Sequence, residues 1–332
     1  MKKYDVYGIG NALVDMEFLV EDEFLVSHNI DRGHMTLVDE DRQNTLMNAI
    51  DKDKTKMQSG GSAANSIIAV SQFGGKTFYS CKVANDDLGD FYMNDLKQAG
   101  VDSNLHDGDR SDGITGKCLV MVSPDAERTM NTFLGITESY SPAEIDETAL
   151  KNSTYLYIEG YLVSSESGHR AMLEAKKIAR ENGVKTSLTF SDPNMIQFFR
   201  DNMDSVVGDG MDLIFCNEEE AKAFTGKDSL IEAREDLKNY ASTFAITLGK
   251  KGATIFDGDT FIDIESYPVK AIDSNGAGDM FAGAFLYGLT HGHSYGHAGK
   301  IASLASSKVV SQYGPRLEWH QAKDILNHLF GN

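Results

Sequence analysis

The chain alternates short apolar runs with longer segments in which apolar residues recur at helical spacing. The short runs predict buried strands at residues 4–10, 77–83, 155–158, 186–190, 213–215 and 243–247. The longer segments predict helices at residues 62–73, 86–99, 168–182 and 218–224. Repeated strand, loop and helix units predict an α/β fold with a mostly parallel sheet covered by helices on both faces. Ligands of such a sheet bind beyond the carboxyl ends of its strands.

Two segments depart from this alternation of predicted strands and helices. Residues 16–38 and 113–134 alternate apolar and polar positions and lack helix-length partners. The alternation is clearest in residues 117–122 and 128–133. A period of two is typical of strands with one buried face, so these segments predict a small second sheet.

The most informative motif lies near the C-terminal end, where residues 273–279 read Asp-Ser-Asn-Gly-Ala-Gly-Asp before an apolar run. A glycine-rich turn that opens a helix presents unpaired backbone N–H groups, which stabilise anions. Asp279 follows in the first turn, where a carboxylate is suited to take a proton from an attacking hydroxyl. A simple helix cap is the other interpretation of the same residues.

A second motif, Gly-Gly-Ser-Ala-Ala-Asn at residues 60–65, opens a predicted helix far upstream. Together with the motif at 273–279, it resembles the ribokinase-like (PfkB) carbohydrate kinase family. Further family features occur in the expected order at residues 10–15, 217–220 and 247–253. The segment Gly-Asn-Ala-Leu-Val-Asp at 10–15 is closer in appearance to the adenosine kinase branch.

The resemblance implies a three-layer α/β/α core with a small β-sheet lid that closes over the acceptor. We expect the core to comprise residues 1–14, 39–112 and 135–332, and the lid residues 15–38 and 113–134. A lid matters for a kinase because water otherwise competes as phosphoryl acceptor.

Site roles are likewise carried over from the family. Asp279 is expected to be the catalytic base, with the anion hole formed by Gly276, Ala277 and Gly278. The acceptor-binding residues implied are Asn11, Asp15, Gly60, Gly61 and Asn65, with Arg128 reaching toward the transferred phosphate and Met35 and Phe133 forming an apolar slot for a purine. The residue-level alternatives are a solvated loop acid for Asp15, a surface arginine for Arg128, and ordinary lid packing for the slot.

The nucleotide side is implied at Asn217, Thr247, Gly249 and Gly252, although the glycines also suit an ordinary turn. Glu220 is expected to hold Mg²⁺ through water, and dipole compensation is the other interpretation of an acid there. The family also implies a monovalent-cation site, K⁺, at Asp273 and Asn275. One departure is that Asp-Pro-Asn at 192–194 lacks the arginine that often follows two residues later in the family.

The charge composition of the chain limits the kinds of molecule that it is expected to bind. Thirty-one basic against 50 acidic residues give a formal net charge of −19 at pH 7, which disfavours nucleic acid and anionic membranes as partners. Three widely separated cysteines indicate buried thiols in a reducing compartment. The N-terminus lacks a long apolar segment, so we expect a cytoplasmic protein, either a monomer or a lid-mediated homodimer.

The function that the family resemblance implies is transfer of the ATP γ-phosphoryl to a primary hydroxyl of a sugar-bearing acceptor, with adenosine giving AMP as the leading case. A free-sugar kinase of the ribokinase or fructokinase type is the alternative within enzymes. A non-catalytic nucleoside-binding regulator is the alternative from another class.

Overall fold

The computed structural model describes residues 2–33, 35–50, 56–106, 108–125 and 127–331. Its strands, in chain order, are β1 Tyr4–Ile9, β2 Leu13–Leu19, β3 Met35–Leu37, β4 Lys56–Gly60, β5 Thr77–Ser80, β6 Val101–Ser103, β7 Gly116–Val122, β8 Arg128–Phe133, β9 Ser153–Glu159, β10 Lys185–Thr189, β11 Met211–Asn217, β12 Ala241–Thr247, β13 Ala253–Phe256 and β14 Phe261–Ile264. Its α-helices are α1 Asp22–Ser27, α2 Glu40–Ala49, α3 Ser62–Gln72, α4 Asp87–Gln98, α5 Glu147–Lys151, α6 Glu166–Glu181, α7 Pro193–Phe198, α8 Arg200–Val207, α9 Glu218–Thr225, α10 Leu230–Leu237, α11 Ala277–Thr290, α12 Tyr295–Val310 and α13 Trp319–Phe330.

The larger sheet has the strand order β14-β13-β12-β11-β10-β9-β1-β5-β6. Its strands are parallel from β12 to β6, and β13 and β14 add an antiparallel edge. Successive residues of the central strands belong to different cores, since Tyr155 and Tyr157 pack on one face of the sheet and Leu156 and Ile158 on the other. Helices α3, α11 and α12 cover the first face, and α6, α8 and α9 cover the second. The predicted three-layer α/β/α fold is confirmed.

A second sheet has the order β3-β8-β7-β2-β4, so the predicted small sheet is also confirmed. Its strands extend beyond the predicted lid segments. β2 begins at Leu13, and β4, at Lys56–Gly60, pairs antiparallel with β2 although we assigned it to the core. This strand was not predicted because Lys-Met-Gln-Ser-Gly has no clear alternation of apolar and polar residues and ends in glycine, which is rare in strands. The division of the chain into core and lid stays a prediction.

The faces of the second sheet differ in character. Val14, Met16 and Phe18 of β2 are buried in the apolar core beneath the sheet. Leu13, Asp15 and Glu17 alternate with them and lie on the opposite face. That opposite face is turned toward the carboxyl ends of the central strands, and the two together enclose a cavity.

Two further features bear on the sequence-based expectations. All three cysteines, Cys81, Cys118 and Cys216, are buried free thiols. Across the described ranges, none of the helices combines the length and the apolar character needed to cross a membrane.

The contact between α3 and α11 gives a stability prediction. A Cβ atom on Gly283 of α11 would lie 2.3 Å from the backbone oxygen of Ser66 and 2.6 Å from the Cβ of Ala69, both on α3. We expect Gly283→Ala to lower the free energy of unfolding by about 1–3 kcal/mol, because overpacking outweighs the better helix propensity of alanine. Urea unfolding measures the change. In the control Gly296→Ala on α12, the new Cβ meets only Ile262, at 3.8 Å, so stability should hold or rise slightly. Equal losses in both variants would contradict the packing argument.

Candidate active site

Two adjoining cavities lie at the carboxyl ends of the central strands. The main cavity, of about 320 Å³, is enclosed by the second sheet, the turn after β1, the ends of β9 to β11, and the starts of α3 and α11. The adjoining cavity, of about 540 Å³, lies beside the turn after β12. Both are lined by Thr247, Gly278 and Phe281, so they meet at the N-terminus of α11. Twelve of the predicted site residues line the main cavity, namely Asn11, Asp15, Met35, Gly61, Asn65, Asn217, Glu220, Thr247, Asn275, Gly276, Gly278 and Asp279.

The N-terminus of α11 forms the wall between the cavities. Its N-cap is Gly276, with φ of +72°, and a Cβ there would lie 2.2 Å from the Cβ of Pro315. Glycine is therefore required at this position for both backbone conformation and packing. A Cβ on Gly278 would meet no atom within 4 Å, so the first turn of the helix faces open space. Ala277 N makes only a long hydrogen bond, of 3.4 Å, to the backbone oxygen of Ser274, and N–H groups in such a turn provide an anion-binding site.

Asp279 lies beside this turn and is held from α3. Ser62 Oγ donates a hydrogen bond of 2.6 Å to one carboxylate oxygen, and Asn65 Nδ2 donates one of 3.1 Å to the other. Burial raises the pKa of Asp279 to about 6, and the two hydrogen bonds oppose this rise. Its carboxylate thus combines a fixed orientation with a pKa near neutrality, which suits a general base.

Asn65 has a second function in this arrangement. Because its amide nitrogen faces Asp279, its Oδ1 atom is directed away from that carboxylate. This oxygen is buried and has no hydrogen-bond donor among the described residues. An unpaired buried acceptor that borders a cavity is suited to a donor from a ligand, such as a hydroxyl.

Asp15 approaches the same cavity from the second sheet. Its carboxylate lies over Gly60, where a Cβ would come within 2.2 Å of it. Burial is the main cause that raises the pKa of Asp15 to about 7. The charge of Arg316 opposes the rise, that of Asp279 adds to it, and Arg128 opposes it again.

Gly61 brings the end of β4 against Asn11. Its φ is +101°, and a Cβ there would lie 2.2 Å from the backbone oxygen of Asn11. Gly61 is also the N-cap of α3, where it supplies no side-chain hydrogen bond. Both predicted glycines, Gly60 and Gly61, are thus explained by close approach of their neighbours.

Glu159, at the end of β9, is a site residue that sequence reasoning missed. It is 1% exposed and lines the main cavity. Its carboxylate accepts hydrogen bonds from Asn11 N at 3.2 Å, Asn11 Nδ2 at 3.1 Å and Ala63 N at 2.8 Å. It therefore caps α3 in place of Gly61 and fixes the amide of Asn11. Burial raises the pKa of Glu159 to about 7. The available signal was an acid that ends an otherwise apolar strand.

Phe133 is the predicted slot residue that the structure corrects. Side chains alternate along β8, so Met130, Thr132 and Leu134 line the cavity while Phe133 faces the other side. Phe133 pairs there with Lys117, whose Nζ lies 5.9 Å from the ring centroid. Met35 does line the cavity, together with Leu37.

Asn217 and Glu220 form a capping box at the start of α9. Asn217 N and Nδ2 donate to the Glu220 carboxylate at 3.0 and 2.8 Å, and Glu220 N donates to Asn217 Oδ1 at 2.8 Å. Burial raises the pKa of Glu220 to about 7, and the nearby Asp192 adds to the rise. Buried acids at the cavity wall suit a hydrated cation such as Mg²⁺. Within the described ranges, no cluster of three His, Cys, Asp or Glu side chains is placed to bind a metal directly.

Arg128 joins the second sheet to the turn before α11. It forms ion pairs with Asp273 at 2.5 Å and with Glu17 at 3.0 Å, and its side chain is 9% exposed. The alternative of a solvent-exposed surface arginine is thereby excluded. Asp273 also accepts hydrogen bonds from Asn275 N and Gly314 N. Arg128 thus shares its charge between Glu17 and Asp273, and the K⁺ site at Asp273 and Asn275 stays a prediction.

The adjoining cavity contains the remaining predicted nucleotide residues. Gly249, with φ of +56°, and Gly252, with φ of +91°, line it together with Ala277. A Cβ on Gly252 would lie 1.9 Å from the backbone oxygen of Ile264. The adjoining cavity is also lined by the apolar residues Tyr267 and Val269.

Comparison with known proteins agrees with this arrangement. The sequence matches the pfkB family carbohydrate kinase over residues 33–322. The adenosine kinase of Saccharomyces cerevisiae is 26% identical over 328 residues, which cover 92% of this chain and 95% of that protein. The structure of a probable sugar kinase protein from Rhizobium etli has a TM-score of 0.91 at 31% identity and covers 99% of this chain and 100% of that one. The adenosine kinase from Sinorhizobium meliloti has a TM-score of 0.89 at 32% identity and covers 97% of this chain and 99% of that one. The chain therefore belongs to the pfkB family of carbohydrate kinases, and it is a sugar or nucleoside kinase that transfers a phosphoryl group from ATP to a hydroxyl acceptor.

Proposed function

We propose that this kinase phosphorylates the primary hydroxyl of a ribose-bearing acceptor, with the 5′-OH of adenosine as the preferred substrate and AMP as the product. The observation that supports this most directly is the position of Asp279. Asp279 lines the main cavity, and its neighbour Gly278 at the N-terminus of α11 lines both cavities. One cavity would hold the acceptor and the other ATP, as transfer between two bound substrates requires.

In this mechanism Asp279 accepts the proton of the acceptor hydroxyl while the oxygen attacks the γ-phosphorus. The fixed hydrogen bonds from Ser62 and Asn65 orient its carboxylate for that proton. The N–H groups at Gly276, Ala277 and Gly278 stabilise the negative charge on the transferring phosphoryl group. Closure of the second sheet over the acceptor excludes water as a competing nucleophile.

Mg²⁺ would be held near Glu220 through water, with Asp192 close by. When bound, the ion offsets the charge of the nucleotide phosphates. The capping box with Asn217 holds the Glu220 carboxylate at the cavity wall and so fixes where such waters would bind.

The acceptor proposal rests on the polar and apolar walls of the main cavity. Asp15 and Asn65 Oδ1 are acceptors that suit the vicinal hydroxyls of a ribose. Met35, Leu37 and Met130 form an apolar wall on the second sheet, and Leu37 is 51% exposed, which leaves surface for a purine to cover. A free sugar such as ribose or fructose is the second candidate acceptor, since the polar wall alone would bind it. An acceptor screen with nucleosides and free sugars, read by ADP release, tests the assignment.

The same assay addresses a non-catalytic role. A nucleoside-binding regulator has no need of an oriented base, whereas Asp279 is held by two donors beside an open helix N-terminus. Single-turnover phosphorylation with purified protein distinguishes the two functions, since a regulator would bind nucleoside without releasing ADP.

Removal of the base gives the first catalytic prediction. We expect Asp279→Asn to lower kcat by roughly 10²-fold or more with acceptor affinity largely kept, because the amide lacks the basic oxygen. In the wild-type enzyme, kcat should fall as the pH drops below about 6, where Asp279 takes up a proton. Near-normal turnover of a correctly folded variant would remove Asp279 from the mechanism.

The metal prediction compares two neighbouring acids of α9. Glu220→Gln should raise the Mg²⁺ concentration needed for half-maximal activity, because the neutral side chain attracts the hydrated cation less. Glu219→Gln is the matched control, since Glu219 is exposed on the same helical turn. Unfolding midpoints of both variants separate this effect from loss of the capping box. An equal response of the two variants would reduce the role of Glu220 to general electrostatics.

The acceptor prediction concerns Asp15. The wild-type enzyme should prefer adenosine to 2′-deoxyadenosine by about 2–5 kcal/mol in kcat/KM, because a missing hydroxyl leaves the carboxylate unpaired. Adenosine should also exceed free ribose by about 10²-fold, since the purine adds apolar burial. Asp15→Ala should remove most of the first preference and keep the second. If ribose or fructose is the better substrate of the wild type, the adenosine assignment fails.

A further inference from the structure

The segment Gly314–Arg316 crosses between the two halves of the active site. Gly314 N donates a hydrogen bond of 2.8 Å to Asp273, at the start of the turn before α11. Pro315 packs against the Cα of Gly276, the N-cap of α11. The next residue, Arg316, reaches in the other direction to the end of β4. Within three consecutive residues, Gly314 and Pro315 contact the turn that begins α11, and Arg316 contacts the end of β4 next to Gly60 and Gly61.

Arg316 fixes the end of β4 through a small hydrogen-bond network. Its guanidinium donates to Asp95 Oδ2 at 2.8 Å, to Ser59 Oγ at 2.7 Å and to the backbone oxygen of Ser59. Asp95 in turn accepts a 2.9 Å hydrogen bond from Ser59 N. On the same helix, α4, Tyr92 donates to the backbone oxygen of Gly60 at 2.9 Å. Ser59 and Gly60 are therefore held from both sides, directly beneath the Asp15 carboxylate.

The charges around Asp15 give this network an electrostatic consequence. The groups that face it are Glu17 on β2, Cys118 on β7, Arg128 on β8, Tyr92 on α4, Asp279 on α11, and Arg316. Arg128 is divided between Glu17 and Asp273, and Arg316 is paired with Asp95. Of the opposing charges, Arg316 contributes most to lowering the pKa of Asp15, against the larger effect of burial. Loss of Arg316 therefore favours the protonated acid.

We propose that Arg316 is a positioning residue for acceptor recognition, which fixes the end of β4 at Ser59 beneath Asp15 and places positive charge near the Asp15 carboxylate. A protonated Asp15 has an O–H donor in place of one acceptor and binds vicinal hydroxyls less well. The inference rests on the proposed function of Asp15 and extends it to a residue outside the cavity. It predicts that Arg316 acts on the acceptor and leaves the nucleotide unaffected.

The test compares Arg316→Gln with Arg316→Lys. Arg316→Gln should raise the KM for adenosine about tenfold or more, leave the KM for ATP unchanged, and move the acidic limb of kcat/KM for adenosine to higher pH. The kcat/KM for 2′-deoxyadenosine should change less. Arg316→Lys keeps the charge and loses the planar fork, so its KM should rise while the acidic limb stays near its wild-type position.

Arg110→Gln is the matched control. The Arg110 side chain is 6% exposed and forms an ion pair with Asp90, which lies on α4 as Asp95 does. Arg110 also donates a hydrogen bond of 3.0 Å to the backbone oxygen of Ala84. Its loss should lower the unfolding midpoint without moving the acidic limb. Equal losses of kcat/KM for both nucleosides in Arg316→Gln, with an unmoved limb, would overturn the proposal and leave Arg316 as scaffold alone.

A second measurement keeps the inference separate from the acceptor assignment. Carboxyl ¹³C NMR follows the titration of Asp15 without any substrate. Asp15→Asn identifies the resonance. The Asp15 midpoint should rise in Arg316→Gln and not in Arg316→Lys, and an unchanged midpoint in Arg316→Gln would refute the electrostatic part. If the wild type prefers a free sugar while this midpoint still moves, the adenosine assignment fails and the role of Arg316 stands.

Discussion

The close packing of α3 against α11 is the constraint on which the active site depends. Gly283 permits the backbones to approach, and this approach brings Ser62 and Asn65 of one helix to Asp279 of the other. The position of the Asp279 carboxylate is thus set by two long helices embedded in the core and not by a surface loop. Rigid elements hold reacting groups more accurately than loops do, and phosphoryl transfer depends mainly on such positioning. The hydrogen bond from Ala63 to Glu159 then ties the same helix end to β9.

The candidate site concentrates negative charge in a buried cavity. Four carboxylates at the main cavity, those of Asp15, Glu159, Glu220 and Asp279, have a pKa raised chiefly by burial. The chain as a whole carries a formal charge of −19, and its substrate ATP is a polyanion. Backbone N–H groups at α11 offer positive partial charge without a mobile side chain. The proposed Mg²⁺, bound with the nucleotide, would lower the remaining electrostatic cost of filling the site.

The parts of the fold and of the candidate site that depend on local sequence pattern can be predicted from the sequence. Buried parallel strands and long amphipathic helices were found because their periodicity is encoded in consecutive residues, and Asp279 because its turn needs glycines in a fixed order. Other features depend on partners distant in sequence. The strand β4 is defined by pairing with β2, and the roles of Glu159 and Arg316 arise from contacts with residues 96 and 257 positions away. Phe133 was misplaced by one position, which in a strand exchanges the cavity face for the opposite one.

The strand pairing of the second sheet makes this sheet dependent on the rest of the fold. β2 pairs in parallel with β7, which lies about a hundred residues later in the chain, so the loop that joins them contains β5 and β6 of the larger sheet. Pairings of such long range incur a large loop-closure entropy before they gain contact energy. The second sheet is therefore not a module that folds by itself. The face that carries Asp15 is completed only when β2 and β7 have paired across that loop, so a change that destabilises the larger sheet would also disrupt the proposed acceptor wall.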